Sequence, residues 1–324
     1  MRTKIWLGVA VSAVLLWVAV RGVNLDEVLQ QLRQVQLVWL IPVLASIVVR
    51  FWLTALRWQL LLRPTKRIGI HRLFAITLIG FMANNVLPAR LGEFVRAYAL
   101  GRSEALPASL PFATIVIERI FDGFTLLVFL VGGLSFLRPT RTLLWAAGLT
   151  CGLYLVVLAS LLAIRTGHGL GLLTAVLDRL PERVGTPARR LLESFRAGLG
   201  VFGDPSAIVG TAMLSIVIWV VNALGVEAMF RAFSLDLPVY ACFLVLGVIA
   251  VAVALPSAPG YVGPFQAGTV QGLALLGVAR ETALSLSIVY HLCNYIPITI
   301  AGLAYLSALN LTLGELRTAG GKSA

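Results

Sequence analysis

The residues with chemical potential in this chain are a small set of charges and helix breakers set in apolar surroundings. Asn84-Asn85-Val86-Leu87-Pro88-Ala89-Arg90-Leu91-Gly92-Glu93-Phe94-Val95-Arg96 follows the apolar run Leu73 to Met82 and leads into another that reaches Leu100. Pro88 removes a backbone donor and disfavours the helical conformation at Leu87. Broken backbone at membrane depth survives only inside protein or against a water-filled cavity. A second interruption, Leu255-Pro256-Ser257-Ala258-Pro259-Gly260-Tyr261-Val262-Gly263-Pro264-Phe265-Gln266, has the same Leu-Pro start and a Gly a few residues on. Paired Gly/Pro-interrupted segments point to a transporter-like binding site near the bilayer midplane.

Charges accompany the breaks. Glu118 and Asp122 are spaced i, i+4 and share one helix face, with Arg119 about 100° round from Glu118. Such carboxylates suit cation binding, a proton relay or pairing with Arg50, Arg90 or Arg96, and ion pairing is the simpler reading. Arg50 and Arg57, seven residues apart, share a face two turns apart. Arg57 is near a helix end, where snorkelling is the alternative, whereas Arg50 is deeper and is expected to need an anionic partner. Five arginines (50, 57, 90, 96 and 119) against three acids (Glu93, Glu118 and Asp122) leave two positive charges in excess. That excess suits a phosphate, which Arg holds with paired donors and helix N-termini assist with backbone N–H groups. Arg50, Arg57, Arg90 and Arg96 are thus the expected phosphate ligands, and Glu93, Glu118 and Asp122 the partners of a head-group amine or a proton. Asn84, Asn85, Pro88 and Gly92, with Pro256, Pro259, Gly260 and Gly263, form the breaks.

The elements that must carry these residues are membrane helices. A chain that is 59% hydrophobic and 12% charged, with mean hydropathy +0.93, is not a soluble domain. Its net charge of +12 would suggest nucleic acid in a soluble protein; here cytoplasmic loops and anionic head groups account for it. Cys151, Cys242 and Cys293 lie in apolar segments without metal-ligand spacing and read as packing residues.

Apolar runs over 5–20, 38–62, 112–137, 143–164, 207–230 and 284–309 predict six full spans. Segments 73–101 and 239–278 are expected to be broken re-entrant hairpins entering from opposite faces, an inverted repeat; eight full spans is the alternative. Residues 24–37 predict an amphipathic helix on the surface or packed over the bundle. Arg63 to Arg72 and the loop 165–205 are cation-rich and read as cytoplasmic, the latter with an amphipathic helix whose apolar face carries Leu191, Leu192, Phe195, Leu199 and Phe202. His291 and Asn294, near one another on the last span, read as a hydrogen-bonded packing pair. The reading is an all-α polytopic protein forming a single integral membrane domain over 1–324.

Arg57-Trp58 with Leu61-Leu62, Asn85-x-Leu87-Pro88-x-Arg90-x-Gly92-Glu93-x-x-Arg96, Glu118-Arg119-x-x-Asp122 and Leu255-Pro256-x-x-Pro259-Gly260-x-x-Gly263 together resemble the membrane domain of lysylphosphatidylglycerol synthases. This flippase-like domain family includes the multiple peptide resistance factors and stand-alone relatives. The resemblance runs from about residue 5 to 310 and implies a domain that moves aminoacylated phosphatidylglycerol or a related lipid between leaflets. No soluble aminoacyl-transfer segment follows within the sequence, so synthase activity is not expected. Gln266 stands where an acidic residue is expected after the Pro-Gly-x-x-Gly turn. No nucleotide-binding loop, zinc spacing or nucleophile triad is present.

The expectation is therefore a lipid translocase, not an enzyme, in the prokaryotic cytoplasmic (inner) membrane. It would take an anionic or aminoacylated phospholipid or a lipid-linked head group, with no cofactor, metal or nucleic acid. A non-transporting subunit that scaffolds glycolipid or polysaccharide synthesis beside a lipid- or glycan-synthesising enzyme is the alternative. A transferase on polyprenyl phosphate using Glu93 or Asp122 as base is a distant third. Homo-oligomerisation is left open.

Overall fold

A computed structural model describes residues 2–87, 91–135, 141–166, 181–255, 257–309, Thr312 and Gly314. Six of its helices are long: α1 (Arg2–Val20), α3 (Leu40–Leu62), α6 (Ser109–Ser135), α7 (Arg141–Thr166), α9 (Pro205–Ala232) and α12 (Arg280–Ala308). At about 1.5 Å per residue each approaches or exceeds the roughly 30 Å of a hydrocarbon layer. Leu37–Leu62, Pro205–Ala232 and Arg280–Ala308 meet both the length and the hydropathy expected of a crossing. Between them lie α2 (Leu25–Arg33), α4 (Ile70–Val86), α5 (Gly92–Glu104), α8 (Glu182–Gly198), α10 (Tyr240–Ala254) and α11 (Pro264–Ala274). The protein is an all-helical polytopic membrane protein, and no strand occurs among the described residues. Its surface has the expected polarity: Ile41, Trp145, Leu149, Leu153, Met213 and Ile300 are exposed, while Thr77, Asn84, Thr211 and Ser215 are buried. Lipid accepts the apolar side chains, and polar groups must find partners inside.

Side-chain contacts sort the helix ends onto two sides. On one, Arg280 at the start of α12 donates to the Val18 carbonyl at the end of α1 (2.8 Å), and Gln36 N–H donates to Ala232 O at the end of α9 (2.9 Å). On the other, Lys66 (2.8 Å) and Arg72 pair with Glu104, so the end of α5 lies beside the start of α4. Burial alone would raise the Glu104 carboxyl, but the hydrogen bonds from Lys66 and Arg72 outweigh it and hold the pKa below its ordinary value. The hairpin α4–α5 therefore enters and returns at the arginine-rich end. Cys242 contacts Glu227 (3.5 Å), putting the start of α10 beside the end of α9. Gly268 faces Ile249, and Gly272 faces Val245, so α11 runs back antiparallel to α10. The two hairpins enter from opposite ends.

The amphipathic 24–37 segment is α2, bent 83° from α1 and capped by Asn24, whose Oδ1 accepts from Asp26 N–H (3.0 Å). It lies against α12, where Ser285 Oγ donates to Val28 O (3.3 Å). Of the apolar face expected in 165–205, Phe195, Leu199 and Phe202 pack on a second cluster with Leu61, Ala113 and Ile117. Leu191 is left exposed.

Close approach holds the first hairpin shut. A Cβ on Gly92 would collide with the Gly80 carbonyl and the Asn84 amide, and one on Gly80 with the Arg96 side chain. Gly92→Ala is expected to cost about 1–3 kcal/mol in thermal unfolding in detergent. Gly152→Ala, where a Cβ meets nothing within 4 Å, leaves the midpoint unchanged or higher; equal losses at both would contradict this packing.

Candidate functional site

Glu118 and Asp122 project from α6 into the bundle, where both are buried. Arg57 on α3 donates Nη1 to Asp122 Oδ1 (2.5 Å) and Nη2 to Oδ2 (3.1 Å), the forked geometry that suits guanidinium and carboxylate. Arg57 Nη1 also reaches Ser215 Oγ on α9 (2.7 Å), and its Nε lies 3.9 Å from Glu118 Oε1. Arg96 on α5 donates to Glu118 Oε2 (2.9 Å). Its guanidinium lies 4.1 Å from the centre of the Trp58 ring, and Trp58 Nε1 donates to Thr114 (2.9 Å). Trp219 Nε1 adds a further donor to Asp122 (3.1 Å).

The expectations for Arg50, Arg57 and Arg96 need correction here. Arg57 is 1% exposed and does not snorkel; it is the main partner of Asp122, a role given above to Arg50, Arg90 or Arg96. Arg57 and Arg96 also do not suit a direct phosphate contact, because both are sealed from solvent, although Arg57 Nε and Arg96 Nε and Nη2 have no hydrogen-bond partner. Ion pairing, the simpler reading of Glu118 and Asp122, is what forms. Arg50 lacks its expected anionic partner among the described residues. It reaches Asn294 Oδ1 (3.3 Å), lies over the Phe51 ring, and keeps a buried Nε without a hydrogen-bond partner.

Arg119 differs from these three. Its side chain is 43% accessible, with Nη2 3.4 Å from Asp122 Oδ2, although it lies about 15 Å along α6 from Ser109. An arginine at that depth is costly against lipid tails, so its accessible face is expected to need water or a polar partner. Glu93, half-buried in the first turn of α5, and Tyr261 in the second break are near enough to act on its charge. Arg119 is the residue the sequence reading passed over as a ligand. The signal was its 100° offset from Glu118, which turns it away from the buried pairs.

The two breaks meet on α12. In the first, Asn84 Oδ1 accepts from Gly92 N–H (2.7 Å). Asn85 Nδ2 donates to Thr299 Oγ1 (2.9 Å). In the second, Gly260 and Gly263 have φ of 73° and 95°, a region that side chains rarely adopt. A Cβ on Gly260 would press on Tyr295, and one on Gly263 would collide with the Ser12 carbonyl of α1. Pro259 opens the single turn that contains Gly260. Pro88, Arg90 and Pro256 lie outside the described residues.

His291 does not pair with Asn294 as expected. It contacts the Gly260 carbonyl through Nε2 (2.7 Å), so Nε2 carries the proton and Nδ1 accepts from Gln266 Nε2 (2.8 Å). Gln266 Oε1 accepts from Gly263 N–H (2.8 Å). The residue expected to be acidic is thus an amide that needs both its donor and its acceptor. Among the described residues no three His, Cys, Asp or Glu side chains are grouped to hold a metal ion.

The family model for the lysylphosphatidylglycerol synthase TM region matches residues 5–302. The chain belongs to this family. It is also 24% identical over 295 residues to a UPF0104 membrane protein of Methanothermobacter thermautotrophicus, covering 84% of this chain and 87% of that one. A second UPF0104 membrane protein of the same organism is 26% identical over 296 residues, covering 81% and 80%. Glycosyltransferase AglD of Haloferax volcanii is 28% identical over 263 residues, which is 71% of this chain and 42% of that protein. Arg57, Arg96, Glu118 and Asp122 sit on α3, α5 and α6.

The geometry separates structural from accessible charge. Asp122→Ala strands a buried Arg57 and is expected to cost about 3–5 kcal/mol. Arg119→Ala is expected to cost less than about 1 kcal/mol. Chemical unfolding of the two variants in detergent tests this, and a reversed order would refute the assignment.

Proposed function

We propose that this chain is a lipid translocase of the prokaryotic cytoplasmic membrane, acting as a single membrane domain on an anionic or aminoacylated phospholipid or a lipid-linked head group. The observation that carries the reading is the accessible guanidinium of Arg119, held at depth beside residues of both broken hairpins. A phosphate entering this cavity meets a positive centre. Arg50, with its unpartnered Nε, is the second arginine suited to it, and Arg90 is the third by sequence. Glu93, in the first turn of α5, suits a head-group amine or a proton. Membership of the family supports a lipid substrate.

Arg57 and Arg96 serve this reading as positioning residues: they fix α6 so that Arg119 faces the cavity. Hairpins entering from opposite ends suit alternate exposure of one central site to each leaflet. Chemistry on the lipid is not part of the proposal.

The similarity to part of a glycosyltransferase favours a second reading, a non-transporting subunit that scaffolds the synthesis of a lipid-linked glycan. Reconstitution in liposomes decides between them. Fluorescent phosphatidylglycerol is expected to cross at least about tenfold more slowly with Arg119→Gln or Glu93→Gln, the loss of one charge-assisted contact, with an unchanged unfolding midpoint. Full activity of both variants would sink the site assignment. A wild-type protein that moves neither this lipid nor its lysyl derivative, yet retains a glycosyltransferase on purification, would favour the scaffold.

A further inference from the structure

A groove of about 530 Å³ between α3 and α9 at the arginine-rich end stands apart from the central cavity. Leu56, Gln59, Leu60, Arg63, Arg67 and Leu214 line it. Residues 56, 59, 60 and 63 follow helical spacing, so one stripe of α3 forms a wall that is apolar towards the bundle centre and cationic at its mouth. The groove stays open because α9 presents Gly210 to Leu60, where a Cβ would meet Leu60 Cδ2 at 2.7 Å. Gln59 is turned aside, donating to the Ile68 carbonyl (2.7 Å), which holds the 63–68 turn over the groove.

Its charge is uncompensated. Arg63 and Arg67 are both exposed, and neither forms an ion pair among the described residues. The acid whose charge Arg63 feels, Asp204, is half-buried. It is committed to capping α9, accepting from Ser206 N–H (3.0 Å) and Ala207 N–H (3.3 Å). Those hydrogen bonds, led by the one from Ser206 Oγ, hold its carboxyl below the ordinary range. Nearby Lys66 and Arg72 are already paired with Glu104. Two free guanidiniums at the head-group level above an apolar slot between two spans therefore match one kind of molecule.

We propose that this groove seats an anionic phospholipid, its phosphate on Arg63 and Arg67 and one acyl chain against Leu56, Leu60 and Leu214. The volume suits part of one lipid, with the rest lying on the exposed faces of the same helices, where Val49 and Met213 already face outward. A free inorganic anion would satisfy the arginines but leave the apolar wall uncovered, so the lipid is the better occupant. The site lies directly outside the Arg57–Ser215 contact, since Leu214 and Leu56 are the chain neighbours of those two residues. A lipid seated there braces α3 against α9 where the buried pairs are anchored, independently of whether the central cavity moves lipid.

The experiment uses the full chain in zwitterionic nanodiscs doped with phosphatidylglycerol carrying a photoactivatable acyl chain, with peptide mapping of the adduct. Labelling is expected on peptides containing Leu56, Leu60 or Leu214. In Arg63→Gln/Arg67→Gln the phosphatidylglycerol required for half-maximal labelling rises roughly 30-fold, the loss expected of two head-group arginines. Leu60→Trp, which fills the slot and keeps both charges, is expected to abolish it, and thermal unfolding of each variant confirms that it is folded. Equal labelling by the matching phosphatidylcholine probe would overturn the proposal, as would labelling unchanged in the double variant. Full displacement by millimolar inorganic phosphate at constant ionic strength would reassign the arginines to a soluble anion and also overturn it.

Discussion

Charge held inside a lipid-surrounded bundle must be neutralised by geometry, and here two carboxylates one turn apart on α6 set that geometry. Asp122 receives both arms of Arg57 from α3 and the indole of Trp219 from α9. Glu118 receives Arg96 from the first hairpin. Removing Arg57 or Arg96 takes from a buried carboxylate its nearest cation, which is costly. The net is tight enough to define the orientation of α6 about its own axis. That orientation is what turns Arg119, the odd member of the Glu-Arg-x-x-Asp motif, towards accessible space.

The breaks obey the same constraint applied to backbone. A chain that leaves the helix at depth frees N–H and carbonyl groups that lipid cannot satisfy. Side chains of α12 take up part of this burden for both hairpins: Asn85 is tied to Thr299, and the Gly260 carbonyl to His291. Asn84 and Gln266 close each break locally through the N–H groups of Gly92 and Gly263. One helix thereby registers two hairpins that arrive from opposite ends.

The fold was largely legible in sequence because bilayer thickness dictates lengths: six long runs and two interrupted ones became six long helices and two returning hairpins. Inversion was legible from the alternation of cation-rich loops. Partnership was not. Arg57, near the end of its helix, looked free to snorkel, and only the approach of α6 and α9 shows that Asp122 and Ser215 surround it. Arg50, deep in its span, looked certain to meet an acid, yet the residue facing it is Asn294, some 240 positions away. Local spacing places residues on a face but cannot say which distant face arrives opposite. Gln266 was judged by the acid it replaced, whereas its value lies in carrying a donor and an acceptor at once, towards His291 and Gly263.

The central claim is that Arg119 faces a polar cavity while Arg57, at comparable burial in the sequence pattern, does not. Cysteine accessibility tests it most directly. With Cys151, Cys242 and Cys293 replaced by alanine, single cysteines at 57 and 119 would be exposed in proteoliposomes to a charged, membrane-impermeant thiol reagent. A cysteine at 119 that reacts readily, and is protected by added anionic lipid, beside an inert cysteine at 57 in a folded protein, is the predicted result. An inert 119, or a 57 that reacts equally fast, would contradict the account.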